Sequence, residues 1–561
     1  MECKNWVGSP FWPSRFEWDS FNTSVSGRLI KPVPPASVCH PSWSSSLNEQ
    51  ACMSVQDSWN KSEFHANDPV SVDFNNWTND TCLPSSLLSC SDAGYPAYVV
   101  NASSSLHVKA AVDFARKHEI RLVVKASGHD YLGRSSAPGA LSIWVRYLHA
   151  GVVESHADFQ PSGCNLSLDT TAVTVGGGTL MKDLLNALQV DGLATVAGAS
   201  PDVAIGGYLT GGGHSVLSAT QGLAADNVLQ IEMVTPQGDI VTANECQNND
   251  LFWAVRGGGG GTFGVVTKAT LRTFTSPPVG SMALAIPLPT DDFLWETTTK
   301  LVQATPGLAK AGISGYMYAF PEYSPFAAQN HGPVLFFSLV GVNQSASQVL
   351  NHVKETEVWA ELQKLLESTA NAPSLKDHDS YYTYWFDNVD KTPVGTNFMG
   401  ASRLLNVEVL TSHPFERLKQ ALKTAAGPFG LNGILGAGLG VWNAHPRGGG
   451  NAVNPAWRNN TVVHLVLGSL WMPGDAPEEK EAAVSYLDKR TQVLRELAPD
   501  SGCYVNEAFP HEPDFPRAFW GDQYEKLERI KREIDPTDVF WCHPCVGNQG
   551  WKPLGERLCR V

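Results

Sequence analysis

The residues best placed for chemistry sit around one histidine in a run of small side chains: Lys125-Ala126-Ser127-Gly128-His129-Asp130-Tyr131-Leu132-Gly133-Arg134-Ser135. The run follows a largely apolar stretch, Ile120 to Val124, that reads as a buried strand. Small side chains let a backbone approach a ligand closely, and Gly128 and Gly133 can take turn geometries closed to other residues. An imidazole fixed in such a loop can ligate a metal, move a proton, or bond covalently to a cofactor.

Two glycine-dense segments narrow that choice. The first is Gly206-Gly207-Tyr208-Leu209-Thr210-Gly211-Gly212-Gly213-His214. The second runs from Arg256 through Gly257, Gly258, Gly259, Gly260 and Gly261 to Thr262-Phe263-Gly264-Val265-Val266. Flanked by apolar strands, both can present backbone N–H groups to a pyrophosphate with little side-chain obstruction. Their spacing fits neither a Rossmann fingerprint nor a Walker loop.

Taken in order, the three segments resemble the FAD-binding domain of the vanillyl-alcohol oxidase and p-cresol methylhydroxylase (PCMH) superfamily. Near the end of the chain, Tyr504-Val505-Asn506-Glu507-Ala508, Trp520-Gly521, the segment Tyr524 to Lys531, Asp535-Pro536 and Val539-Phe540 are similar to the C-terminal segment of berberine-bridge-enzyme-like oxidases. Trp12-Pro13-Ser14, Glu17-Trp18, Gly27-Arg28-Leu29-Ile30 and Cys82-Leu83-Pro84-Ser85-Ser86 resemble the fungal, isoamyl-alcohol-oxidase-like branch. The resemblance implies an α+β fold of two domains, a PCMH-type FAD-binding domain and a substrate domain built on an antiparallel sheet covered by helices. The expected division is an irregular, disulfide-pinned arm over residues 1–91, the FAD domain over 92–276, the substrate domain over 277–496, and a tail over 497–561 that returns to the FAD domain.

The resemblance also implies roles. His129 is expected to bond to the 8α-methyl carbon of the flavin; His214, the rival, sits in the phosphate-side loop. Lys125, Ala126, Ser127, Gly128, Asp130, Gly133, Arg134 and Ser135 are expected around the cofactor. So are Gly198, Ser200, Pro201, Val203, Gly206, Gly207, Tyr208, Gly211, Gly212 and Gly213. Asn227, Gly264, Val265, Val266, Tyr504 and Asn506 complete the expected set. Many relatives carry a second tether through a cysteine where this chain has Ser200, and serine cannot form that thioether. A single link is therefore expected, and a bulky carbohydrate substrate loses weight. Val203 stands at the position described as an oxygen gate, and valine resembles its oxygen-permitting form.

The catalytic base does not carry over. Hydride loss from a carbon bearing oxygen or nitrogen is eased when a positioned base takes the proton. Many relatives use a tyrosine directly before the Gly-Leu-Ala segment; here that position is Gln221, a neutral amide. Tyr131, two residues beyond His129, is the first substitute, on the expectation of a lowered phenol pKa beside an oxidised flavin. Tyr316, Tyr318, Glu408 and His464, on expected strands of the substrate domain, are the others; Tyr316 and Tyr318 share one face. Arg403 is read as an anion binder or as a structural arginine.

Composition sets the compartment and excludes some partners. Over 561 residues the net charge is −15, which argues against a polyanionic partner, since nucleic-acid affinity rests on Lys and Arg. No apolar run approaches the roughly 18 to 20 residues that span a bilayer. Asn-x-Ser/Thr sequons at Asn22, Asn60, Asn76, Asn79, Asn101, Asn165, Asn343 and Asn459, with 11 cysteines, favour secretion and N-glycosylation. Met1-Glu2-Cys3-Lys4-Asn5 lacks the apolar core of a signal peptide, so the numbering is expected to begin at a mature or trimmed end. The odd cysteine count leaves one thiol unpaired. The fungal branch typically has a cysteine where this chain has Phe11, so Cys3 is expected to lack its partner. Cys542-His543-Pro544-Cys545 has no second ligand pair nearby, and no metal is expected. These readings converge on a secreted, monomeric, FAD-linked oxidase that takes a small alcohol or secondary metabolite and passes electrons to O2. An oxidative cyclase or desaturase, and a non-catalytic flavin-binding glycoprotein, are the alternatives.

Overall fold

The computed structural model describes residues 2–41, 43, 48–322, 332–369 and 371–561. The N-terminal arm is more regular than its Ser-, Pro- and Trp-rich composition suggests. It holds helices Arg15–Ser24, Glu49–Ser58 and Ser62–Asn67. The first is started by a capping box, Ser14 accepting from the Glu17 backbone while Glu17 accepts from that of Ser14. Periodicity is weak there because two of the helices are only ten residues long and the third six.

Beyond the arm, a four-stranded sheet runs in the order Leu29–Ile30, Tyr98–Asn101, Leu141–Trp144, Leu122–Lys125. The last three strands are parallel. Helix Ser105–Lys117, capped by Ser104, buries Val108, Ala111, Val112 and Ala115 at helical spacing. A five-stranded antiparallel sheet follows in the order Val152–His156, Ala172–Gly176, Val265–Arg272, Val228–Val234, Ile240–Asn244. The histidine loop leaves the end of Leu122–Lys125, and the second glycine loop leads into Val265–Arg272.

After Pro277-Pro278 comes a seven-stranded antiparallel sheet, ordered Ser374–His378, Val279–Pro287, Val334–Val342, Ile313–Phe320, Leu431–Leu435, Thr461–Trp471, Asn397–Asn406. Alternation along each strand assigns its two faces. Met317, Ala319, Leu335, Phe337, Leu339, Leu465 and Leu467 pack into one core with residues of helices Asp291–Lys310, Ala346–Lys354, Glu357–Thr369, Phe415–Ala426 and Pro477–Leu497. The alternate residues Tyr316, Tyr318, Phe336, Ser338, Asn432, Ile434 and Val466 face away from it. Register aligns them: Tyr316 lies opposite Ser338 and Ile434, Tyr318 opposite Phe336 and Asn432. Glu408 departs from its expected place. Asn406 caps a short helix, Val407–Ser412, and Glu408 is exposed in its first turn.

Disulfides join Cys3 to Cys559, Cys39 to Cys52, Cys82 to Cys90, Cys164 to Cys246 and Cys542 to Cys545. The expectation that Cys3 lacks a partner is therefore corrected; its partner is 556 positions away in sequence. The free thiol is Cys503, buried with its sulfur on the Ser402 carbonyl. Among the described residues, no helix is long and apolar enough to cross a membrane.

Candidate active site

A cavity of about 710 Å³ lies where the histidine loop, both glycine loops, the Tyr316–Tyr318 sheet face and the Tyr504–Glu507 segment meet. That volume suits a small-molecule or cofactor site. Of the residues singled out above, its lining includes Ala126 to Tyr131, Arg134, Ser135, Gly198, Ser200, Val203, Gly206, Gly207, Tyr208, His214, Gly264, Val265 and Val266. Tyr316, Tyr318, Tyr504 and Asn506 also line it.

Other expected contacts are redirected. Lys125 is fully buried and spends its ammonium on the carbonyls of His65 (3.0 Å) and Asp68 (2.8 Å), stitching the arm to the histidine loop. Burial lowers its pKa to about 8. Asn227 donates to the carbonyls of Gln221 and Leu223 and accepts from Arg272, and the Gln221 side chain also accepts from Arg272. Neither residue lines the cavity. Gly133 packs under the Trp77 indole, and Gly211 leaves room for the Asn506 amide. Gly212 and Pro201 stand behind the lining, and Gly213 donates its N–H to the Tyr504 hydroxyl at 3.2 Å. Arg403 is buried and structural, donating to the carbonyls of Ala498 and Pro499.

Several lining residues fit a dinucleotide. The space a Cβ at Gly207 would fill is open, and a Cβ at Gly260 would meet nothing closer than the Thr210 hydroxyl. Arg134, its side chain 7 % exposed, pairs with Asp130 and donates to Asn506 Oδ1 at 3.0 Å. Its Nη1 is buried without a protein partner beside Gly259, as an anion-binding guanidinium would be. His129 ends the cleft. Its Nδ1 lies 2.6 Å from Asp73 Oδ2. Burial opposes protonation of His129, but the Asp73 hydrogen bond and charge outweigh it and raise the pKa.

The fold does not lower the phenol pKa that was expected to fall at Tyr131. Burial raises the Tyr131 phenol pKa well above its ordinary value, and the charges of Glu507, Asp390 and Asp73 raise it further. Tyr316 and Tyr318 are raised in the same way, chiefly by burial. All three rings line the cavity.

The group the motif reading passed over is Glu507. Its Oε1 lies 2.9 Å from His214 Nε2 and its Oε2 3.5 Å from His464 Nδ1. Burial opposes its ionisation, but the His214 imidazole more than compensates and holds the carboxyl at about 2. Glu507 and His214 line the cavity; His464, on the same sheet face as Val466, is buried behind them and outside the lining. Burial lowers His464 to about 4, so it is neutral at physiological pH. The other newly seen wall is Tyr384 and the segment Asn388–Pro393, whose exposed Asp390 and Lys391 mark the mouth.

This cluster makes the fold acid-sensitive. His464 titrates in the fold below its usual 6.5, so its contribution is lost as pH falls from about 6.5 through 4. Glu507 titrates below its usual 4.5, so its contribution holds above that value and is lost as pH falls through about 2. Urea midpoints should fall progressively below pH 6.5, and His464→Gln should flatten the upper part of that curve.

A two-part α+β molecule whose glycine-edged cleft ends on a half-buried histidine suits a flavin, and its relatives assign the class, an FAD-dependent oxidoreductase. The "FAD binding domain" family matches residues 96–244, and the "Berberine and berberine like" family matches residues 503–547. An uncharacterized FAD-linked oxidoreductase of Arthroderma benhamiae is 34% identical over 561 residues, covering 96% of this chain and 94% of that protein. The VAO-type flavoprotein oxidase VAO615 of Thermothelomyces thermophilus is 31% identical, covering 100% and 95%. The crystal structure of the VAO-type flavoprotein MtVAO713 from Myceliophthora thermophila C1 superposes with a TM-score of 0.89 at 27% identity, covering 100% of both chains. The chain belongs to the berberine-bridge-like, VAO-type family of FAD-linked oxidoreductases.

Proposed function

We propose that this protein is a secreted oxidase that carries FAD linked through His129 alone and oxidises an alcohol-bearing, partly apolar small molecule, with O2 as acceptor. The observation that carries this reading is the Glu507–His214 pair set in a cavity walled by Tyr131, Tyr316, Tyr318, Phe336 and Tyr384. When bound, the flavin supplies the hydride acceptor. The aromatic wall orients the substrate and excludes water; the Glu507–His214 pair takes the hydroxyl proton, the imidazole accepting it and the carboxylate stabilising the cation so formed.

Single attachment is supported by the thiol inventory. Ser200 lines the cavity, Cys503 lies outside the lining, and the other cysteines are in disulfides. Those disulfides, and exposed sequon asparagines at Asn60, Asn79, Asn165, Asn343 and Asn459, support an oxidising, extracellular setting.

The test is a panel of primary and secondary alcohols, read as anaerobic flavin bleaching and as peroxide formed in air. No bleaching by any member, or bleaching without peroxide, would count against the oxidase. Val203 lines the same cavity, and Val203→Ile adds one methylene there. It is expected to slow reoxidation several-fold while leaving anaerobic reduction nearly unchanged; equal slowing of both would assign it to packing alone.

A further inference from the structure

Glu507 offers one carboxylate oxygen to each of two histidines. Oε1 lies 2.9 Å from His214 Nε2, and Oε2 lies 3.5 Å from His464 Nδ1. One donor atom from each of the three residues falls within 4.8 Å of the other two. A tetrahedral zinc ion with bonds of about 2.0–2.1 Å holds its ligands about 3.3–3.4 Å apart, and the two separations bracket that edge.

The three residues come from separate elements: the first glycine loop, strand Thr461–Trp471 and the short turn Val505–Glu507. The His464 side chain is 0 % exposed, and both its ring nitrogens are buried without a hydrogen-bond partner. Burial without a partner is costly for an imidazole, and coordination satisfies Nδ1. Trp457 and Tyr504 meet the His464 ring edge to face and hold its plane. His214 and Glu507 line the cavity, which gives an ion its path in. Among the described residues, the other two groups of possible ligands are His40 with Cys82 and Cys90, and Glu245 with Cys164 and Cys246. Their cysteines are in disulfides and offer no thiolate.

We propose that His214, Glu507 and His464 form a binding site for a zinc-class divalent cation. Two imidazoles and one carboxylate suit Zn2+ and not Mg2+, which prefers oxygen ligands. Three protein ligands leave the fourth tetrahedral position to water.

The consequence for turnover rests on the Glu507–His214 reading above; the site itself does not. In the ion-free pair, His214 Nε2–H donates to the carboxylate, so Nδ1, buried without a protein partner, is the ring's acceptor. A neutral ring bound to zinc through Nε2 must carry its proton on Nδ1. The ion thus closes the acceptor and ties up the carboxylate together. Zinc is expected to inhibit flavin reduction rather than to assist it.

The experiment uses the untagged holoprotein, with zinc chloride as the probe and magnesium chloride as the control. Equilibrium dialysis followed by metal analysis should find one tightly held Zn2+ per chain and no Mg2+. His464→Gln and, separately, Glu507→Gln should weaken zinc binding by about 100-fold or more, above the cost of losing an outer hydrogen-bond partner of a ligand. Zinc X-ray absorption on the wild type should show two imidazoles, with nitrogen and oxygen ligands at about 2.0–2.1 Å. Anaerobic flavin reduction by an alcohol that bleaches the wild type should stop in zinc and recover after chelation. No bound zinc, or equal binding by the wild type and His464→Gln, overturns the inference and leaves the base reading intact. An absorption spectrum without imidazole scattering does the same even where the variants fail to fold. Zinc held by all three residues while flavin is reduced at the zinc-free rate upholds the site and overturns the base reading instead.

Discussion

Glu507→Gln is expected to slow anaerobic flavin reduction by about 10²- to 10⁴-fold, the range of a lost general base, while the protein stays folded and yellow. The substitution preserves shape and removes the charge. Glutamine can still meet His214 Nε2, so the geometry around Tyr504 and His464 survives. What is lost is the anion that stabilises the imidazolium formed as His214 takes the substrate's proton. The decrease should appear in kcat and kcat/KM alike, with little change in substrate binding. His214→Asn should cost at least as much, because it removes the ring that takes the proton. Tyr131→Phe should cost less, since burial raises that phenol's pKa. A Glu507→Gln variant that reduces its flavin at the wild-type rate would end the assignment, and Asp390 at the mouth becomes the next carboxylate to test.

Some of this site was legible in the sequence, and some was not, for reasons that lie in distance and direction. The strands around Tyr316, Phe336 and Val466 stand out because their residues alternate between a helix-covered core and an open face. The glycine loops stand out because few other residues let a backbone approach a cofactor so closely. Asp73 is silent for the opposite reason. It lies 56 residues from His129, in a segment whose composition reads as irregular, and only the folded chain brings the two together. Glu507 sits inside a segment singled out for Tyr504 and Asn506, but nothing in its neighbours says that it meets His214, 293 residues away. Lys125 and Asn227 err the other way. Each is a polar residue in the right stretch, with a side chain that the fold turns to backbone carbonyls instead. The helix cap at Asn406 likewise takes Glu408 off the strand pattern that placed it in the site.

The second large effect is expected on stability, at Lys531. Its ammonium is buried and satisfied three times, by Asp535 Oδ2 at 2.6 Å, the Phe540 carbonyl at 2.7 Å and the Thr262 carbonyl at 2.9 Å. Asp535 in turn accepts from the backbone N–H groups of Val539 and Phe540. One buried ion pair thus clamps the C-terminal helix Tyr524–Ile534 onto the loop that carries Gly260 and Gly261 into the flavin cleft. Lys531→Met keeps most of the volume but strands a buried carboxylate and two carbonyls, which should cost about 3–5 kcal/mol. Asp535→Asn in that background removes the stranded charge while keeping an acceptor for Val539 and Phe540. The double variant should therefore be more stable than Lys531→Met alone, a non-additivity read from urea midpoints at constant m-value. Because the clamp seats the glycine loop, Lys531→Met should also lower the fraction of protein that loads flavin, in proportion to the folded fraction lost. A Lys531→Met variant within about 1 kcal/mol of the wild type would mean that water reaches the pair, and the clamp would then contribute little to holding the loop.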